Sequence, residues 1–221
     1  MAAVRPEPGA SLAERAYVHL REEIIGVRLA PGTLLREDDL IQRLGIGRTP
    51  VREAVQRLQR DGFVTVLPRR GTLVSEISIT DLAAIYEVRK QLESWASRLA
   101  AERATAADHG EARALMDDLE ALTAHDDYAT LLTVDRGIHR FVYRTTKNPF
   151  LAETLDQYQN LSLRILHVAM QRYPPLTPRL DDVVHEQRTV LDAICRGDGA
   201  TAERVAIEHI STFERAIREI I

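Results

Sequence analysis

Apolar residues fall at Leu12, Ala16, Leu20 and Ile24, with Ala13, Tyr17 and Ile25 beside them, and this period predicts an amphipathic helix over 12–25. Pro31-Gly32 ends any helix. A second helix is predicted from about Arg36 to Leu44. Glu37, Asp38 and Asp39 fall in its first turn, where the helix dipole favours acids, and Gly45 follows as a left-handed C-cap. Thr49-Pro50 suits the start of a third helix, because Pro there lacks only an amide hydrogen that would be unpaired in any case. Val51, Ala54, Val55 and Leu58 form its buried stripe and leave Arg48, Arg52, Gln56 and Arg60 facing away. The short apolar runs 63–67 and 72–74 read as a two-stranded ribbon whose tip is Pro68-Arg69-Arg70-Gly71. Beyond Ser78 the pattern changes: Gly and Pro become scarce and no run alternates with period two. Helical periodicity covers 80–104, 108–124, 127–145, 149–172, 178–196 and 199–219. Short links between these helices imply an antiparallel all-α bundle of six or seven helices.

The expected fold class is therefore mainly α. Short helix, Gly-containing turn, amphipathic helix and basic ribbon, in that order, make the winged variant of the helix-turn-helix layout, which places its recognition helix in the major groove of DNA. The expected organisation is a flexible N-terminus over 1–10, a winged helix-turn-helix over 11–76 and a helical domain over 79–221.

Composition sharpens this division. The 221 residues are 45% hydrophobic and 28% charged, an ordinary globular balance, with a net charge of −4. That total conceals an asymmetry. Residues 1–75 hold 12 Arg against 9 acids, whereas residues 76–221 hold 17 Lys and Arg against 24 acids. Six of the Arg, against two acids, lie within residues 48–70. A basic head on an acidic body is the electrostatic footprint of a nucleic-acid binder. No uncharged apolar run is long enough to span a bilayer, and the opening MAAVRPEPGA has no apolar signal-peptide core, so a cytoplasmic protein with no membrane partner is expected. Cys195 is the sole cysteine and sits in an apolar helical pattern, which excludes an intramolecular disulfide and assigns it no catalytic role.

The run LREEIIGVRLAPGTLLREDDLIQRLGIGRTPVREAVQRLQRDGFVTVLPRRGTLV resembles the winged helix-turn-helix domain of the GntR family of bacterial transcriptional regulators. That resemblance implies DNA contacts at Gly47, Arg48, Thr49, Arg52, Arg69, Arg70 and Gly71. Two positions depart from the family pattern. Gly47 stands where Ser or Thr is usual, and Asp38 stands where a second-helix Arg often touches DNA.

The helical half resembles the FCD domain of the FadR subfamily, through DLAAIYEVRKQLESWASRLAAERAT, the pair Asp135 and His139, KNPFLAETLDQ, and EHI at 208–210. The resemblance implies a divalent metal held by an Asp and three His, with a small carboxylate effector on or near it. Asp135 and His139 are four apart, hence stacked on one helical face, and a carboxylate with an imidazole suits Zn, Ni or Mn. His209, in the apolar stripe of the last helix, is the third ligand implied. The fourth position that the resemblance implies, 22 residues before the last His, is Gln187 here, and His185, about 200° round the helix from it, cannot replace it without a register shift. A neutral amide is a poor ligand for metals that imidazole favours. These residues therefore make either a weakened metal site or a hydrogen-bonded polar cluster. Arg89 is a candidate to clamp an effector carboxylate, with an ion pair to Glu93 or Asp135 as the alternative. Arg140, Arg164 and Gln187 complete the effector candidates.

The expected function is that of a homodimeric regulator, a repressor, whose affinity for double-stranded operator DNA is set by a small organic acid. A metal-responsive regulator is the first alternative. A metal-dependent enzyme with a DNA-binding head is the second, disfavoured because no HExxH motif and no nucleophile with a nearby base is present.

Overall fold

The computed structural model describes residues 9–68, 70–76, 79–122, 128–172 and 180–219. Its contacts divide the chain into two compact units. One comprises residues 82–162 and 169–221; the other comprises residues 2–81 together with 163–168.

In the unit of the N-terminal head, helix α1 (Leu12–Ile25) is opened by Ser11, whose hydroxyl accepts from the Glu14 amide at 3.1 Å. Helix α2 (Glu37–Leu44) ends at Gly45 with φ 62° and ψ 32°, the left-handed cap that its sequence predicts. Helix α3 (Arg48–Arg60) follows. Leu20, Ile24, Ile25, Val51, Ala54, Leu58, Phe63, Val64 and Val74 are buried and supply the small core. Polar contacts lock α1 onto α3: the Tyr17 hydroxyl donates to Asp61 at 2.6 Å, and the Arg57 guanidinium lies 3.8 Å above the Tyr17 ring. Burial, reinforced by Asp61, pushes the Tyr17 phenol up to about 12.

The wing differs from the expected two-stranded ribbon. Strands β2 (Val64–Leu67) and β3 (Gly71–Val74) pair antiparallel as predicted, but β1 (Leu34–Leu35) adds a third strand on the other side of β3, so the order is β1-β3-β2. Two residues carry no legible period, and β1 exists only because β3 offers it a free edge. This pairing also explains Gly71. Its φ is +110°, and a Cβ there would stand 3.1 Å from the Leu34 side chain and 3.3 Å from the Leu35 carbonyl, so the strand entry needs glycine.

The other unit is all-helical: α4 (Ile79–Arg103), α5 (Ala106–Glu120), α6 (Tyr128–Thr145), α7 (Pro149–Arg172), α8 (Leu180–Arg196) and α9 (Gly199–Arg218). Helix α8 packs against α5, α6 and α9, and α5 packs against α6. The core joins Ala96 and Ala100 of α4, Leu119 of α5, Ile138 and Phe141 of α6, Leu155 of α7, Leu191 and Ile194 of α8 and Val205 of α9. At the start of α5, Thr105 and Asp108 form a reciprocal capping box. None of the described helices is long and apolar enough to cross a membrane.

Candidate functional site

Helix α3 presents Arg48 and Arg52 outward, with side chains 58% and 59% exposed, as its buried stripe requires. Neither is solitary. Arg48 Nη2 lies 3.0 Å from Asp38 Oδ1 and its Nη1 lies 3.2 Å from Glu37 Oε1. Arg52 Nε donates to Glu37 Oε2 at 2.8 Å. The acids that favour the first turn of α2 thus reach across to α3. Gly47 is the N-cap of α3 and supplies no side-chain hydrogen bond, a direct consequence of having no hydroxyl there. Gly47, Thr49 and Arg70 are exposed, and Gly71 opens β3. Arg69 lies outside the described residues. A groove of about 490 Å³ runs between α2, α3 and the wing, lined by Glu37, Arg52, Gln56, Val66, Pro68 and Gly71 among others.

The second constellation is buried. Asp135 and His139 stack on α6, and α9 brings His209 to them: one ligand atom from each of the three lies within 4.8 Å of the others. His139 Nε2 stands 3.3 Å from His209 Nε2 and 3.6 Å from Asp135 Oδ2, and His209 Nε2 stands 3.1 Å from Asp135 Oδ1. Helix α8 completes the ring with Gln187, whose amide nitrogen lies 2.6 Å from Asp135 Oδ1 and 3.0 Å from His209 Nε2. His185, two positions earlier, is exposed while Gln187 is buried, the placement that the helical register requires.

Sequence reasoning missed how the two imidazoles are held from behind. His139 Nδ1 faces Glu93 Oε2 at 2.7 Å, and His209 Nδ1 faces Glu186 Oε2 at 3.2 Å. Glu186 is steadied in turn by the Thr212 hydroxyl, 2.7 Å away. A carboxylate on Nδ1 fixes the ring's orientation and turns Nε2 into the cluster, as in carboxylate-histidine-metal triads. Of the two acids, only Glu93 left a sequence signal, its i+4 spacing from Arg89.

Arg89 is engaged within the helical unit. It is buried, donates through Nε to Glu93 at 2.5 Å and through Nη1 to Ser162 at 2.6 Å. This is the ion-pair alternative of the two read from the sequence, and it makes Glu93 the link between Arg89 and His139. Arg140 lies 3.4 Å from Asp156 and lines a cleft of about 500 Å³ with Tyr143, Arg144 and Lys147. Arg164 is counted with the N-terminal unit, where it donates to the Ser75 carbonyl, and burial lowers it to about 10. Cys195 is half-buried with its thiol pushed up by burial, which does not suit a nucleophile.

Electrostatics tie the buried groups together. Burial would raise the Glu93 carboxyl, but Arg89 and His139 beside it prevail and bring it down to about 2. Burial likewise opposes the Asp135 charge, yet His139 and the hydrogen bonds from His209 and Gln187 hold it well below the usual carboxylate range. His209 goes the other way: burial would lower it, and Asp135 and Glu186 raise it to about 9. The carboxylates of Asp135 and Glu186 thus favour the protonated form of the His209 imidazole.

Two family models match the chain, one over the winged head and one over most of the helical part. Residues 12–74 match the bacterial regulatory proteins of the gntR family, and residues 84–212 match the FCD domain. The chain belongs to the GntR family of bacterial regulators, with an FCD domain. This GntR regulator is 22% identical over 207 residues to the transcriptional repressor RspR of Escherichia coli, covering 94% of this chain and 89% of RspR. It is 29% identical over 192 residues to a probable D-xylose utilization operon repressor of Paenarthrobacter nicotinovorans, covering 86% of this chain and 82% of that one. Among solved structures, E. coli McbR/YncC matches with a TM-score of 0.82 at 25% identity, covering 95% of this chain and 98% of McbR. A GntR regulator from Rhodococcus sp. RHA1 matches with a TM-score of 0.72 at 25% identity, covering 96% of this chain and all of that one.

Proposed function

We propose that this GntR regulator is a homodimeric, cytoplasmic repressor that binds operator DNA through Arg48, Thr49, Arg52 and the wing, and releases it when a small organic acid enters the FCD unit. Two copies suit an operator with two-fold symmetry, as paired winged heads commonly do. Relatives named as repressors support the sign of regulation, and the D-xylose utilization repressor among them supports a metabolite as the signal. The observation that carries the reading is the convergence of Asp135, His139, His209 and Gln187 in the bundle interior, where nothing in a purely architectural DNA-binding protein requires it.

The donor set fits a divalent cation. One carboxylate oxygen and two Nε2 atoms converge, both rings are backed by acids on Nδ1, and turning the Gln187 amide over would aim its oxygen inward in place of its nitrogen. Asp135, His139 and His209 would hold Zn, Ni or Mn, with Gln187 as a weak fourth donor. The cation would supply a Lewis-acid anchor for a carboxylate. The chain's own residues do the rest: Glu93 and Glu186 orient the imidazoles, and Arg89 keeps Glu93 ionised. An effector that binds one arrangement of the protein more tightly than another shifts the population and so changes operator affinity, with no chemical reaction needed.

Elemental analysis of untagged protein purified without chelator tests the anchor. The expected result is near-stoichiometric metal, or uptake on incubation with Zn, Ni or Mn. Protein that stays metal-free through both leaves the Gln187–Asp135–His209 polar cluster as the resting state and removes the metal from the mechanism.

A further inference from the structure

The arginine pair of α3 is engaged by α2 in an unequal way. Glu37 takes Arg52 by Nε, at 2.8 Å. Arg48 is taken by its terminal nitrogens instead, Nη1 by Glu37 at 3.2 Å and Nη2 by Asp38 at 3.0 Å. Those two nitrogens form the end-on fork of a guanidinium, the edge that grips a phosphate or a guanine. Asp38 is 78% exposed, so its carboxylate lies on the same open surface as the arginine that it holds.

We infer that Asp38 is a specificity-determining residue: it competes with the DNA backbone for Arg48 and suppresses binding to the wrong sequence. The inference rests on the reading that α3 faces DNA. Non-specific affinity comes almost wholly from cations on phosphates, and a carboxylate 3.0 Å from Arg48 Nη2 cancels much of what that arginine contributes. Hydrogen bonds to base edges are short-ranged and directional, and they draw on Arg52 and on the hydrogens of Arg48 that the ion pair does not use. The correct sequence therefore loses less to Asp38 than a wrong one does. A single residue raises the ratio of specific to non-specific binding while lowering absolute affinity.

Asp39 supplies the control. It is the next residue on α2, exposed, about 100° further round the helix, and makes no ion pair among the described residues. Asp38→Asn and Asp39→Asn change net charge equally, but only the first removes an ion-pair partner of Arg48 and frees its Nη2, Glu37 staying on Nη1. The full-length protein would be titrated, by fluorescence anisotropy at several salt concentrations, against a duplex that the wild type enriches from a randomised pool and against a scrambled duplex of the same composition. For Asp38→Asn we expect affinity for the scrambled duplex to rise about three- to tenfold, with the salt slope steeper by about one per protomer and a smaller gain on the enriched duplex. Asp39→Asn should do little to either, and Asp38→Asn should add nothing in an Arg48→Ala background. Equal shifts from the two Asp variants, equal gains on the two duplexes, or an undiminished gain without Arg48 would each overturn the inference. Failure of the wild type to enrich any duplex is a distinct outcome, which removes the DNA-facing assignment of α3 beneath it.

Discussion

The winged head and the helical unit each gather acids around cations, and the two gatherings obey different physics. In the head, Arg48 and Arg52 meet Glu37 and Asp38 in water, where an ion pair is worth at most about 1 kcal/mol and is readily exchanged for another partner. In the helical unit, Arg89, Glu93, His139, Asp135 and His209 are all buried, and each charge is held by the next. There, removing one member strands its neighbours in a medium that cannot solvate them. Exchangeable pairs suit the proposed DNA surface, which would trade protein for DNA, and locked pairs suit the proposed effector pocket, which would keep its shape until a ligand enters.

The largest break in this comparison should come from Asp135→Ala. It leaves His209 and His139 facing each other without the carboxylate between them, and a loss of about 3 kcal/mol of stability in metal-free protein is expected, read by denaturant unfolding. A variant of wild-type stability would mean that water solvates the cluster and that it is not locked at all. The head should respond oppositely. Arg52→Ala should leave stability within about 0.5 kcal/mol of wild type while weakening operator binding by about 1–3 kcal/mol. Undiminished operator affinity in an anisotropy titration would remove Arg52 from the DNA surface.

A third test lies between these extremes, at the partly buried Asp108. Its carboxylate accepts from the Thr105 amide at 2.8 Å and hydroxyl at 2.7 Å and faces Lys147 Nζ at 2.9 Å. Although burial opposes the charge, these partners bring the carboxyl from 3.8 down to about 2. A depressed carboxyl stabilises the fold above its unfolded value, and the benefit is lost as pH falls through the folded one. Asp108→Asn should therefore cost about 1 kcal/mol at neutral pH, the usual worth of a cap. The gap from wild type should close as pH falls from about 4 to about 2. A gap that persists at low pH would show that Asn has lost packing at the cap as well as charge.

Much of this was legible in one dimension. The stripe of Val51, Ala54 and Leu58 fixed which face of α3 is buried and so sent Arg48 and Arg52 outward. The four-residue step from Asp135 to His139 put both on one face, and the stripe of α9 turned His209 inward. The same register argument placed Gln187 inside and His185 outside. What was not legible came from contacts between distant segments. Strand β1 is two residues long and pairs with β3 nearly forty positions later. Glu186 adjoins Gln187 in sequence, yet its tie to His209 depends on how α8 lies along α9. The sequence left open whether Arg89 clamps an effector carboxylate or pairs with Glu93 or Asp135, because only Glu93, four positions on, lies near it along the chain. The added partner Ser162, 73 positions away, could be read from no local pattern.

The sequence by itself determined the order and type of the helices and of the two longer strands, the basic head on an acidic body, the family, and the residue types available for DNA and for a metal. These follow from periodicity, capping residues and charge, which act over a few positions and survive in a linear string. Only the tertiary structure decided the partners: Asp38 on Arg48, Glu93 between Arg89 and His139, Glu186 behind His209, Gln187 in the fourth corner. Partnership is a matter of distances of about 3 Å between side chains far apart in the chain, and hydrogen bonds and ion pairs lose their meaning beyond that range. No spacing rule along a sequence carries that information across two packed helices.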